Sequence, residues 1–212
     1  MLRAEALLFD LDGTLIDSEE LILSSFRHAT AQVLGRTYPD EVMRDMIGIP
    51  LDYQMRKLSE EGAAELLRVY REHNRTVHDQ LVRAFDGVDK VMAALKQRGY
   101  RCAVVTSKLT YQAVHGLEMF DLVRYFEFVQ GSDQTERHKP DPTPLLVAAE
   151  KMGIAPSQCV YVGDSPYDMQ AARAAGMTAV AALWGMFSRE RLLEGGAQHE
   201  AASAWSLLDL FA

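Results

Sequence analysis

Two aspartates separated by one residue, in Asp10-Leu11-Asp12-Gly13-Thr14-Leu15, stand at the end of a short apolar run, Ala6-Leu7-Leu8-Phe9. A strand ending this way exposes one carboxylate, turns at the Gly-Thr pair and offers a second carboxylate just beyond. Such close carboxylates repel each other, so a fold keeps them for a cation or for chemistry. The pair suits a cation-assisted nucleophile with an acid/base partner. A solvated Asp-Gly turn after a strand would look the same locally. Three further segments carry matching groups: Thr106-Ser107 after an apolar run, Lys139 in His138-Lys139-Pro140, and Gly163-Asp164 followed by Asp168. Carboxylates, hydroxyls and one lysine are what a phosphoryl-transfer site requires. Singly, each has a plainer reading. Thr106-Ser107 could cap a helix, Lys139 could be a solvated loop lysine, and Asp164-Ser165-Pro166 with Asp168 could be an ordinary helix start.

The elements that would position these groups follow from periodicity. A strand is expected over 5–10. A long, almost strand-free block follows over 18–83, with helices near 18–34, 40–47, 51–58 and 63–82 and breaks at Gly35 through Pro39 and at Gly48-Ile49-Pro50. Beyond it, strands near 101–105, 127–130, 158–162 and 178–183 alternate with helices near 88–97, 110–117, 142–152 and 167–175. Gly99, Gly153 and Gly176 end three of those helices. The stretch 195–204 reads as a surface loop before a last helix over 205–210. Alternation of this kind predicts an α/β fold, a Rossmann-like parallel sheet with helices on both faces. The helical block is too long for a loop and predicts an inserted α-helical cap. The expected division is 1–16 and 84–212 for the catalytic core and 17–83 for the cap. In an open parallel sheet, ligands bind beyond the carboxyl ends of the strands, which is where Asp10, Asp12, Thr106, Ser107 and Asp164 fall.

Composition narrows the function. The 212 residues are 48% hydrophobic and 25% charged, with a formal net charge of −8. That acidity disfavours an extended nucleic-acid surface. It leaves room for a small anionic substrate, because a metal ion and a few cations can dominate a local field. The two cysteines, Cys102 and Cys159, lie in strand-like apolar runs and read as buried thiols in a reducing compartment. The first apolar run is four residues long and meets Asp10, so no secretory signal is expected. No stretch approaches the roughly 18 apolar residues of a membrane helix. A cytoplasmic protein, monomeric or a weak dimer, is the expectation.

Together the four segments resemble the motifs of the haloacid dehalogenase (HAD) superfamily, in particular its phosphatases with a helical cap after the first motif. Asp10 through Leu15 is similar to the first motif, Thr106 to the close of the second, Lys139 to the third, and Gly163-Asp164-Ser165 with Asp168 to the fourth. The resemblance implies that Asp10 is the nucleophile that becomes a phosphoaspartate and that Asp12 is the acid/base. It implies Mg²⁺ held by Asp10, the Asp12 carbonyl and Asp164, with Asp168 supporting the metal from a second layer. Thr106 and Lys139 would be catalytic, and Ser107, Gly48, Ile49 and Pro50 would contact substrate. Within the cap, residues 19–28, 70–74 and 78–82, and residues 184–191 of the tail, resemble pyrophosphatases of the PpaX type. Phosphoglycolate phosphatases share the core. Arg27, His28, Arg56 and Arg75 are cap cations that could grip a second anion. The expected activity is Mg²⁺-dependent hydrolysis of a small phosphorylated metabolite, foremost inorganic pyrophosphate, with phosphoglycolate as the alternative. A sugar-phosphate mutase is less favoured, since such mutases usually carry an acid where Gly163 stands. A receiver domain would lack Asp12 and the insertion, and a dehalogenase would need neither Asp12 nor a metal.

Overall fold

The computed structural model describes residues 2–211. The chain opens with β1 (Ala6–Phe9) and β2 (Ile16–Asp17) and then enters four helices, α1 (Glu19–Leu34), α2 (Asp40–Arg44), α3 (Leu51–Leu58) and α4 (Ala63–Leu81). It returns through β3 (Arg83–Ala84), α5 (Val88–Gln97), β4 (Arg101–Val105), α6 (Thr110–Glu118), β5 (Val129–Gln130) and α7 (Thr143–Met152). It ends with β6 (Cys159–Gly163), α8 (Pro166–Ala174), β7 (Thr178–Ala182), α9 (Arg189–Glu194), β8 (His199–Ala201) and α10 (Leu207–Leu210).

Six strands form one parallel sheet in the order β5-β4-β1-β6-β7-β8. The central strand β1 is wholly buried, as a strand covered on both faces must be. Its side chains alternate between two apolar layers: Ala6 and Leu8 join Leu145, Ala148 and Met169 of α7 and α8, while Leu7 and Phe9 join Val91, Leu95, Ala113 and Leu117 of α5 and α6. Burial of a large aliphatic or aromatic side chain contributes ~1.5–3 kcal/mol, so this double-sided core fixes the level at which β1 ends.

The helical insertion leaves and re-enters the sheet layer through a two-stranded antiparallel ribbon, with Ile16 opposite Ala84 and Asp17 opposite Arg83. Its own core is built on α1 and α4, where Phe26 meets Tyr70 edge-on with ring centroids 5.2 Å apart, and Met43, Met55 and Leu66 close around them. Gly99, Gly153 and Gly176 all take positive φ after their helices, as the sequence predicts. One expectation fails. The stretch 195–204 is not a plain loop, because His199–Ala201 forms β8, the edge strand beside β7. Three residues are too short to display a period of two, and their pairing is decided by β7 rather than by their own pattern. No helix among the described residues is long and apolar enough to cross a membrane.

Candidate active site

Register places the chemistry. Phe9 of β1 pairs with Val104 of β4 and with Val162 of β6, so the three strands run out together. Asp10 follows β1, Thr106 follows β4 and Asp164 follows β6. The Asp10 backbone N–H donates to Val162 O at 2.9 Å, which fixes the point where the first chain leaves the sheet. Asp10, Asp12, Thr106, Ser107 and Asp164 all line one chamber of about 110 Å³, roofed by Ile47, Gly48, Ile49 and Pro50 from the insertion. Ser107 Oγ donates to the Gly48 carbonyl at 2.7 Å, tying that roof to the sheet edge. Gly48 has φ 106°, and a Cβ there would come within 2.9 Å of Ser165 Oγ and of the Tyr167 ring.

Lys139 lies under the chamber, 2% exposed. Its ammonium donates to Asp168 Oδ1 at 2.6 Å and to the Tyr161 hydroxyl at 3.0 Å. It also stands 3.0 Å from Asp10 Oδ1, off the line of a hydrogen bond, so the oxygen is paired by charge yet has no hydrogen-bond partner. Lys139 is therefore no solvated loop residue. The helix-cap reading of Thr106-Ser107 fails as well: α6 is preceded by Leu109, while Thr106 Oγ1 accepts from the Lys108 N–H at 3.2 Å. The helix-start reading of Ser165 and Asp168 is realised together with the site. Ser165 Oγ accepts from the Asp168 N–H, and Asp168 Oδ2 accepts from the Ser165 N–H at 2.9 Å, while Oδ1 of the same carboxylate holds Lys139.

Asp10, Asp164 and Asp168 present carboxylate oxygens within 4.8 Å of one another. All three are buried, against the single ammonium of Lys139. Burial pushes the Asp10 carboxyl up to about 7; Lys139 pulls it down, while Asp168 and Asp12 push it further up. Burial, and then the charges of Asp168 and Asp10, raise Asp164 in the same direction. Lys139 is pushed up, because the attraction of Asp10 and Asp168 outweighs the opposing effect of burial. Three ionised carboxylates and one ammonium would leave two buried negative charges, which a divalent cation balances. The donors are hard oxygens, suited to Mg²⁺. The space is shaped for this arrangement: a Cβ on Gly13 would lie 2.1 Å from Asp164 Oδ2, and one on Gly185 would lie 2.2 Å from Asp164 Cβ. Asp164 is held by Thr14 Oγ1 at 3.1 Å and by the Met186 N–H at 2.8 Å.

Asp12 has a partner that the sequence reading does not single out. Lys108 Nζ donates to both its oxygens, at 2.8 and 3.1 Å, and Ser18 Oγ donates at 2.6 Å. Ser18 precedes α1 but its side chain makes no cap hydrogen bond there; it serves Asp12 instead. The cap cations divide differently from expectation. Arg27 is taken by Glu20 and Asp40, and His28 stacks on His73 with ring centroids 4.3 Å apart. Neither they nor Arg56 line the chamber, whereas Arg71 does. Arg75 lines a neighbouring groove.

Residues 7–182 match the family model described as haloacid dehalogenase-like hydrolase. The chain belongs to that family. A PpaX relative from Caldanaerobacter subterraneus subsp. tengcongensis is 36% identical over 209 residues, covering 99% of this chain and 95% of its own. The pyrophosphatase PpaX of Halalkalibacterium halodurans is 35% identical over 83% of this chain and 82% of its own. Among solved structures, a haloacid dehalogenase-like hydrolase from Streptococcus pneumoniae superposes with a TM-score of 0.88 at 26% identity, covering 99% of both chains. A Lactobacillus plantarum protein provisionally assigned as a phosphoglycolate phosphatase gives 0.88 at 25%, over 99% of this chain and all of its own. This HAD-like chain is thus an enzyme, a hydrolase of the phosphatase type.

Proposed function

We propose that the protein is a Mg²⁺-dependent phosphohydrolase that works through a phosphoaspartate on Asp10 and that inorganic pyrophosphate is its foremost substrate. The carrying observation is the gathering of Asp10, Asp12, Thr106, Ser107 and Asp164 on one chamber above the buried Lys139. Asp10, Asp164 and the Asp12 carbonyl would hold Mg²⁺, with Asp168 behind them, and the ion would supply charge neutralisation for the phosphoryl oxygens. An Asp10 carboxylate oxygen attacks phosphorus, and the bond to the leaving oxygen breaks. Asp12 donates a proton to that oxygen, then takes one from the water that opens the phosphoaspartate and releases phosphate. The Thr106 hydroxyl and the Ser107 N–H would hold phosphoryl oxygens, and Lys139 favours the ionised Asp10. The roof of Gly48, Ile49 and Pro50 keeps water out while the chamber is shut.

The PpaX relatives favour pyrophosphate; the phosphoglycolate phosphatase likeness keeps that ester as the second reading. A mutase is opposed by packing, because a Cβ at Gly163 would lie 2.6 Å from Asp168 Cβ and Cγ, leaving no place for an acid there. The test is phosphate release with Mg²⁺ from pyrophosphate, 2-phosphoglycolate, hexose phosphates and nucleoside monophosphates. Pyrophosphate should lead by ~100-fold in specificity constant, and EDTA or Asp10→Asn should abolish turnover. Turnover that survives EDTA or Asp10→Asn overturns the mechanism.

A further inference from the structure

Two basic side chains line the catalytic chamber among the described residues, Lys108 and Arg71. Lys108 is neutralised by Asp12, and Lys139 beneath the floor is taken by Asp10 and Asp168. Arg71 alone has no carboxylate and no hydrogen-bond partner among the described residues. An arginine at a chamber wall with its five donors unused is a ready receptor for a phosphate or carboxylate.

Its place within the chamber says which end of a ligand it meets. Arg71 belongs to α4 of the helical insertion and lines the chamber from there, not from the sheet edge. Asp10, which would attack phosphorus, is held at the sheet edge, so the remainder of a ligand extends toward the insertion, where Arg71 stands. Thr106, Ser107 and Lys139, which would serve the transferred phosphoryl group, come from the sheet edge and its loops instead. The helix is fixed here, since Asn74, one turn on, donates to Ser25 Oγ at 3.3 Å.

A second cavity of about 610 Å³ opens beyond, sharing Arg71, Asn74 and Gln112 with the chamber. It runs between α4 and α6, and its wall carries Arg75, again without a carboxylate partner among the described residues. Its one acid, Glu72, is held by Arg68. The path out of the chamber on the leaving-group side is therefore positively charged and roomy.

Building on the phosphatase reading, we propose that Arg71 binds a second anionic group of the substrate, on the leaving-group side of the scissile bond. Arg71 thereby sets the substrate class as small phosphorylated molecules whose leaving group is itself an anion. The groove past it gives the remainder of that group space, so a second charge is selected more strictly than length.

Steady-state kinetics of wild type, Arg71→Ala and Arg71→Lys on pyrophosphate and on p-nitrophenyl phosphate, whose leaving group lacks a second anion, test this. The ratio of the two specificity constants should fall ~10- to 100-fold in Arg71→Ala, mainly through KM for pyrophosphate, as loss of a charged hydrogen bond implies. Arg71→Lys should recover part of it. Calorimetric binding of methylenediphosphonate, whose P–C–P link cannot be cleaved, compared with orthophosphate should show the same loss in the affinity ratio. An unchanged ratio in either comparison overturns the assignment. Failure of the wild type to release phosphate from any substrate would instead overturn the phosphatase reading, and the binding ratio would still decide Arg71.

Discussion

The raised Asp10 carboxyl makes metal-free stability depend on pH in a direction opposite to the usual one for carboxylates. Its pKa rises from 3.8 to about 7 on folding, so the folded protein holds a proton that the unfolded chain has released. The resulting stability is complete below pH 3.8 and is lost as pH climbs through about 7. Between pH 7 and pH 5 the group gains about 1.4 kcal/mol per unit, so going from pH 8 to pH 5 should add ~3 kcal/mol. Comparing wild type with Asp10→Asn, which has no proton to bind there, cancels the ionisable groups remote from the site and leaves Asp10 together with the response of Asp164 and Lys139 to its charge. Urea unfolding of both proteins in EDTA, at intervals from pH 5 to pH 8, gives the difference directly. Wild type should gain ~3 kcal/mol on Asp10→Asn as the pH falls. Mg²⁺ held by Asp10 as proposed would compete for the same oxygen, so its stabilisation of the wild type should be larger at pH 8 than at pH 5. A wild-type minus variant difference that stays flat across this range would show Asp10 ionised throughout, and the argument from three buried carboxylates over one lysine would fall.

Gly13→Ala should push Asp164 aside, since the new Cβ lies 2.1 Å from its Oδ2 and φ is 79°. Calorimetry should show Mg²⁺ affinity lower by ~10- to 100-fold, and unfolding should show a loss of ~1–3 kcal/mol. Lys108→Met and Asp12→Asn should not be additive, because the two side chains are a largely buried pair 2.8 Å apart. A double-mutant cycle on stability should return a coupling of ~1 kcal/mol or more, and additivity within error would show that Lys108 does not hold Asp12.

The legible part of the site is the part that strands carry. Asp10, Thr106 and Asp164 each end an apolar run, and in a parallel sheet that alone brings them to one rim. Lys139 is different: the sequence offers His138-Lys139-Pro140 as a loop that supplies one lysine to the strand-end groups, and a solvated loop lysine would look the same. Its burial beside Asp168 and Tyr161 comes from tertiary packing that no local pattern encodes. Lys108 is missed for a related reason. It follows Thr106 by two residues and looks like any solvated cation until the insertion brings Ser18 and the start of α1 against Asp12. The cap cations show the limit most clearly. Arg27 reads as available in sequence but is consumed by Glu20 and Asp40, whereas Arg71, unremarkable among its charged neighbours, lines the chamber with no carboxylate partner among the described residues. Availability of a cation is a property of the neighbours it meets in three dimensions, and β8 makes the same point for backbone pairing.

The distribution of charge that results constrains the order of events. The floor holds Asp10, Asp164 and Asp168 against one lysine, and Asp12 at the wall is balanced by Lys108. A bare polyanion entering that chamber meets like charge at short range in surroundings that screen it poorly, where each repulsive contact costs more than in water. Arg71, on α4 of the insertion, offsets one such contact but makes no ion pair with the carboxylates of the floor. With all three carboxylates ionised, two surplus charges remain, which is the charge of one divalent ion. On the proposed function, pyrophosphate would be bound productively only when that ion is present, either in place beforehand or carried in with the substrate. Affinity for methylenediphosphonate should accordingly collapse in EDTA even in the wild type, while the arginine's contribution, read as the ratio to Arg71→Ala, is expressed only once the floor is neutral.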